Sequence, residues 1–177
     1  MSDCCSVKDP KTPAPPAVLA CPVSGRRSKR VDGVTLKSMV RHLPFGMSPG
    51  QYYFCDDSAC DIVYFSADPV APIFSRGDLL VRVGVKEQSD PIQICYCIGI
   101  TRTDIWDEIR KTGKSTIAER IRAEVKAGRC ACEVKNPSGK CCLGDVMRAV
   151  LGGLRTIPTP KATAGGRRAE DISRGGR

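Results

Sequence analysis

Cysteine is the residue type best placed to do chemistry in this chain: eleven of 177 residues are cysteine, against a single histidine. Cys55 and Cys60 form a C-x4-C pair, Cys95 and Cys97 a C-x-C pair, Cys130 and Cys132 another, and Cys141 and Cys142 are adjacent. Cys21 heads Cys21-Pro22-Val23-Ser24-Gly25, which has the form of a C-P-x-C-G knuckle with serine at its second cysteine. Cys4-Cys5 lie near the N-terminus. Short loops return two sulfurs to one tetrahedral ion, so these spacings suit thiophilic metals. Disulfides are the competing use of cysteine. Met1–Ala20 carries Pro10, Pro13, Pro15 and Pro16 without an apolar leader segment, so a reducing, cytoplasmic setting is expected, and with it metal ligation. No apolar run reaches transmembrane length, and no membrane insertion is expected.

The residues suggest two metal groups. A thiolate pair at a hairpin tip, Cys55 and Cys60, is half of a structural zinc site, and Cys21 offers a third sulfur. The fourth position is open to His42, Cys4, Cys5 or water. His42 falls off the apolar face of its segment and reads as a surface residue, and Ser24 is a poor zinc ligand. The second group is Cys95 and Cys97, then Cys130 and Cys132 about 33 residues on, then Cys141 and Cys142. A [2Fe–2S] cluster takes four thiolates, two per iron. Zinc would accept four of the same sulfurs, and residue types leave both open.

The elements that must position these sulfurs follow from periodicity. Val34–Leu43 reads as a helix with Thr35 as N-cap and Leu36, Met39, Val40 and Leu43 at helical spacing. Tyr52–Cys55 and Cys60–Phe65 read as strands joined by Asp56–Ala59, and Leu79–Val85 alternates like a further strand. The polar stretch 85–93 is a seam between this β-rich half and a helical half. Beyond it come a strand at Ile92–Cys97, a helix over Thr103–Lys111 stopped by Gly113, and a helix with Thr116 and Glu119 in capping-box spacing and Gly128 at its end. A last helix over Leu143–Leu154 places Leu143, Val146, Met147, Val150, Leu151 and Leu154 on one face. Cys141 and Cys142 stand at its start, where the helix dipole favours a thiolate.

Net charge is +9, which raises nucleic acid as a partner. Residues 1–30 carry six basic and two acidic groups, residues 155–177 carry the same, and 31–154 hold sixteen basic and fifteen acidic. The excess is therefore expected on solvated tails, with no nucleic-acid footprint. An enzyme finds little support either. There is no nucleophile elbow or carboxylate motif, and Lys111–Ser115 lacks the first glycine of a phosphate loop.

Two blocks, ICYCIGITRTDI and GRCACEVKNPSGKCCLGDV, resemble the bacterioferritin-associated-ferredoxin type of [2Fe–2S] domain found in CopZ-type copper chaperones. The upstream CPVSG and YYFCDDSACDIVYF resemble the zinc-binding portion of the same family. The resemblance spans roughly residues 20–150. It implies a [2Fe–2S] cluster on Cys95, Cys97, Cys132 and Cys142, with Cys141 the alternative fourth ligand and Cys130 spare, and Zn²⁺ on Cys21, Cys55 and Cys60. An M-x-C-x-x-C copper loop, which copper-delivering members carry in a separate domain, is absent from these residues.

The expected fold is α+β: a disordered arm (1–20), a small zinc-bearing β-rich unit (21–90), a helical [2Fe–2S] domain (91–154) and a basic disordered tail (155–177). The expected function is a metallochaperone-like role in metal handling, with copper as Cu⁺ the foremost cargo and the cluster supplying an electron. Its partners would be the metal ion and a metal transporter or redox partner. A plain electron-transfer protein serving a reductase is the alternative, and a nucleic-acid-associated zinc protein a third. Cys4-Cys5 would offer soft thiolates to Cu(I).

Overall fold

The structure, a computed structural model, describes residues 16–47 and 50–158. The expected arm up to Pro15 with Cys4 and Cys5, and the tail from 159 onward, lie outside the described residues. The architecture is mixed α+β, with an antiparallel sheet in the N-terminal half and helices following it.

Five strands run in chain order across the sheet: β1 (Val18–Ala20), β2 (Arg27–Val31), β3 (Tyr52–Phe54), β4 (Ile62–Ser66) and β5 (Phe74–Ser75). The Tyr52–Phe54 and Ile62–Ser66 strands form where aromatic and β-branched residues predict them, paired with Tyr53 opposite Phe65. Both faces of this hairpin are buried. On one, Tyr52, Tyr64 and Phe74 pack with Leu36 and Met39 of helix α1 (Gly33–Met39). On the other, Tyr53 and Phe65 pack with Cys21, Cys55 and Cys60. The thiols are thus part of a hydrophobic layer.

Several local expectations are corrected. Val18–Ala20 belongs to the sheet, so the arm expected over 1–20 overruns by at least this strand. β2, with sequence RSKRV, carries no apolar alternation, yet it pairs with both β1 and β3. Arg27, Lys29 and Arg30, counted above with a solvated tail, therefore stand on the folded surface. Helix α1 begins after Asp32, and Thr35 lies buried inside it. The helix stops at Met39 because Val40 turns extended and bridges Leu79, short of Pro44, which disfavours helix before it. Leu79–Val85 is not a strand. It is bracketed by 3-10 turns at Arg76–Asp78 and Gly84–Lys86, and only Leu79 makes a bridge.

The second half opens with the small hairpin β6 (Gln93–Cys95) and β7 (Ile100–Thr101). Helices α2 (Arg102–Thr112), α3 (Ile117–Lys126), α4 (Cys132–Lys135) and α5 (Leu143–Thr156) follow. The capping box lies at Thr101 and Asp104, at the start of α2. Thr116 is the N-cap of α3 but makes no cap bond of its own. Instead the Glu108 carboxylate of α2 accepts from Ser115 Oγ, Thr116 N and Thr116 Oγ1, so the α2–α3 turn is held from the preceding helix. Ile105, Ile109, Ile117, Ile121, Val146 and Val150 form the core here. Gly153 lets α5 approach α2: a Cβ there would meet Trp106 at 2.7 Å. The expected single face of α5 divides, with Val146 and Val150 buried and Met147, Leu151 and Leu154 exposed. Among the described residues, no helix is long and apolar enough to cross a membrane.

Candidate metal centres

Cys21 follows β1, Cys55 follows β3 and Cys60 precedes β4, so the sheet itself brings one sulfur from its edge to two at the hairpin tip. The three Sγ atoms lie within 4.8 Å of one another and all three residues are buried. Cys21 Sγ and Cys60 Sγ are 3.9 Å apart, close to the ~3.8 Å edge of a thiolate tetrahedron with ~2.3 Å metal–sulfur bonds. Three convergent soft donors in a dry layer fit one zinc ion. Ser24 places its Oγ 3.6 Å from Cys55 Sγ, so a hydroxyl stands where the knuckle's second cysteine would. Exposed His42 is not part of this group.

The electrostatics favour one thiolate in advance. Burial opposes ionisation of Cys21, but the Ser24 hydroxyl and the backbone N–H groups of Ser24 and Val23 outweigh it and bring the thiol down to about 7. Burial dominates at Cys55 and pushes its thiol up, against the Ser24 hydroxyl, the Asp57 N–H and the Lys86 charge. Lys86 is a residue that sequence reasoning missed. It is fully buried, and its Nζ donates to Asp57 O at 2.8 Å and Cys60 O at 2.9 Å. It clamps the 55–60 turn through these two carbonyls. Only its place in the polar 85–93 stretch was legible, and a lysine there reads as solvated.

The second group is built differently. The turn after β6 aims the N–H groups of Cys97 and Ile98 at Cys95 Sγ. Cys132 opens α4 and Cys142 is the N-cap residue of α5. Cys97 Sγ and Cys132 Sγ are 3.6 Å apart, again a tetrahedral edge. The nearby Cys142 thiol, more than the backbone N–H groups and against the opposing effect of burial, brings the Cys95 thiol down to about 6. Cys142 is correspondingly held protonated by the Cys95 thiolate and by burial. Burial and Cys97 push Cys132 up to about 12. Among the described residues, no three of these sulfurs lie within 4.8 Å of one another. Cys97 and Cys132 therefore stand as one pair, with Cys142 near Cys95. Cys141 is exposed and Cys130 half-exposed, outside these four.

The comparisons with known proteins agree with the sheet half most directly. A family of CopZ type, described as a zinc binding domain, matches residues 19–79. The copper chaperone CopZ of Archaeoglobus fulgidus is 34% identical over 125 residues, which make up 71% of this chain and 58% of that protein. The match thus spans somewhat more than half of that relative's length. The solved structure of the N-terminal domain of Archaeoglobus fulgidus CopZ superposes with a TM-score of 0.59 at 32% identity, covering 80% of this chain and 100% of that domain. On that evidence, together with the buried thiol trio, the chain belongs to the family of CopZ N-terminal domains.

Proposed function

We propose that this chain handles a soft metal ion, copper foremost, and that its two cysteine groups divide the work. Zn²⁺ held by Cys21, Cys55 and Cys60 fixes the sheet, with a water at the fourth corner. A [2Fe–2S] cluster held by Cys95, Cys97, Cys132 and Cys142 supplies single electrons. The observation that carries the reading is the approach of Cys97 Sγ to Cys132 Sγ at 3.6 Å, with Cys95 and Cys142 buried in the same core. Two thiolates per iron satisfy it. Cys141, beside Cys142 but exposed, then stays a free thiol.

The protein's part in such chemistry is positional. N–H groups of the 95–98 turn stabilise the Cys95 sulfur, and Cys132 and Cys142 come from the starts of α4 and α5. The kinship with a copper chaperone supports copper as cargo and a metal transporter as recipient. The test is anaerobic stopped-flow mixing of the dithionite-reduced, desalted protein with one equivalent of Cu(II). The expected result is recovery of the oxidised cluster's visible absorption, with about one Cu(I) trapped by bicinchoninate per cluster oxidised. A reduced cluster that persists unchanged in the presence of Cu(II) would contradict the electron-supplying role.

A further inference from the structure

A cavity of about 620 Å³ opens between the sheet half and the helical half, within the range of small-ligand sites. Its wall from β2 carries Arg27 and Lys29, and its opposite wall carries Lys140 and Cys141. The carboxylates on its lining are already engaged: Asp56 by Arg26, Glu87 by Arg82, and Asp145 by Arg148. Arg27, Lys29 and Lys140 make no ion pair among the described residues. Lys29 and Lys140 also border a neighbouring hollow of about 350 Å³ with Arg30, so the cationic wall is continuous across both. The floor is apolar, with Phe54, Val83 and Ile94.

The placement of Lys140 and Cys141 is built. Asn136 is buried, donates from Nδ2 to Lys140 O at 2.7 Å, and accepts from Ser138 N and Oγ at 3.0 Å. The turn that presents the lysine and the thiol is therefore fixed from beneath. Next in sequence, Cys142 is buried in the cluster group while Cys141 is exposed on the cavity wall.

We propose that this cavity binds a small carboxylate-bearing thiol peptide carrying Cu(I), and that the ion passes from the peptide's sulfur to Cys141. Free cations take the carboxylates, the apolar floor takes the methylenes, and the exposed thiol takes the soft ion. The step is a ligand exchange with no electron moved: one carrier S–Cu bond breaks, a Cys141 S–Cu bond forms, and the Cys141 proton leaves with the released carrier thiol. The inference rests on the copper-handling reading above.

The experiment uses the full chain loaded with iron and zinc, under argon, with two probes. S-methylglutathione, whose sulfur is blocked, reads the anion site alone by calorimetry; the Cu(I)–glutathione complex reads transfer. Saturable binding of about one S-methylglutathione per chain is expected. The K29E/K140E double variant, with its cluster absorbance retained as a fold control, should weaken it at least about tenfold. C141S should slow Cu(I) uptake at least about tenfold. No saturable binding, or affinity unaltered by K29E/K140E, would overturn the site, even with copper uptake intact. Copper uptake by C141S at the wild-type rate would overturn the role of Cys141. Peptide binding without any Cu(I) uptake by the wild-type chain would overturn the copper-handling reading, and the transfer step with it.

Discussion

The Tyr64 hydroxyl, buried in the sheet, donates a 2.6 Å hydrogen bond to the carbonyl of Pro137, 73 residues away in the turn that leads to Cys141 and Cys142. One contact thus ties the second strand of the zinc-side hairpin to the loop that delivers the last sulfur of the second group. Burial holds the Tyr64 phenol far above its ordinary range, so it remains a donor at any ordinary pH.

Tyr64→Phe removes the donor and leaves the Pro137 carbonyl buried without this partner. The expected cost is about 1–3 kcal/mol, seen as a lower melting temperature. The loss should extend to the second half, with faster loss of visible absorbance to a chelator. A variant that melts lower but holds its chromophore as firmly as wild type would show that the two halves are not coupled through this bond.

The same turn makes a second close approach. Gly139 has φ +67°, and a Cβ there would stand 2.7 Å from Thr35 Oγ1 of α1. Thr35 Oγ1 is itself buried with no hydrogen-bond partner among the described residues. Gly139→Ala should destabilise by more than about 1 kcal/mol through both crowding and backbone strain. Thr35→Ala removes an unpaired hydroxyl and should be close to neutral. In the double variant the crowding is relieved and the strain remains, so a double-mutant cycle by urea unfolding should show favourable coupling. Strict additivity would contradict the packing described.

Zinc retention should depend on pH through Cys21. Its thiol lies at about 7, below the ordinary 9.0, so its thiolate contributes to stability fully above the unfolded value and loses that contribution as pH falls through about 7. Below that point zinc must also displace a proton from Cys21, and its affinity falls. Ser24→Ala removes the hydroxyl that helps to offset burial at Cys21, so the midpoint of zinc release should move up by about 1 unit or less. Release titrated from pH 9 to 5 with a chromogenic chelator measures it. A midpoint that stays put or moves down in the variant would contradict the role of Ser24.

Lys86 offers a test of the buried clamp. Lys86→Met keeps an unbranched side chain but leaves Asp57 O and Cys60 O without their donor. A cost of about 2–4 kcal/mol is expected, together with faster zinc loss. Unaltered zinc off-rate and melting temperature would show that the ammonium does not organise the 55–60 turn.

What the sequence disclosed follows from how each element is stabilised. Tyr52–Phe54 and Ile62–Ser66 are aromatic and β-branched, and α2, α3 and α5 bury residues at helical spacing, so local pattern and tertiary burial agree. β2 is held by pairing on both sides rather than by its own side chains, and RSKRV therefore looks like a charged linker. Leu79–Val85 alternates as a strand would, but from Leu79 it pairs only by one bridge and it ends in the 3-10 turn at Gly84–Lys86, where a Cβ on Gly84 would clash with the Gln93 carbonyl. For the metal groups, spacing picked out the sulfurs and could not order them. Whether Cys141 or Cys142 turns inward depends on the N-terminus of α5, and Cys142 alone is buried. Lys86 was invisible because nothing local distinguishes a buried clamp from a solvated lysine.

The central claim is that the chain holds zinc on one cysteine group and a two-iron cluster on the other. Anaerobic purification after expression with ample iron, metal analysis, and EPR of the dithionite-reduced sample test it together. The account predicts about one zinc and about two irons per chain, visible absorption that bleaches on reduction, and an S = 1/2 signal. Retention of that signal in Cys141→Ser and its loss in Cys142→Ser should follow. A colourless protein with zinc at both cysteine groups and no EPR signal would contradict it.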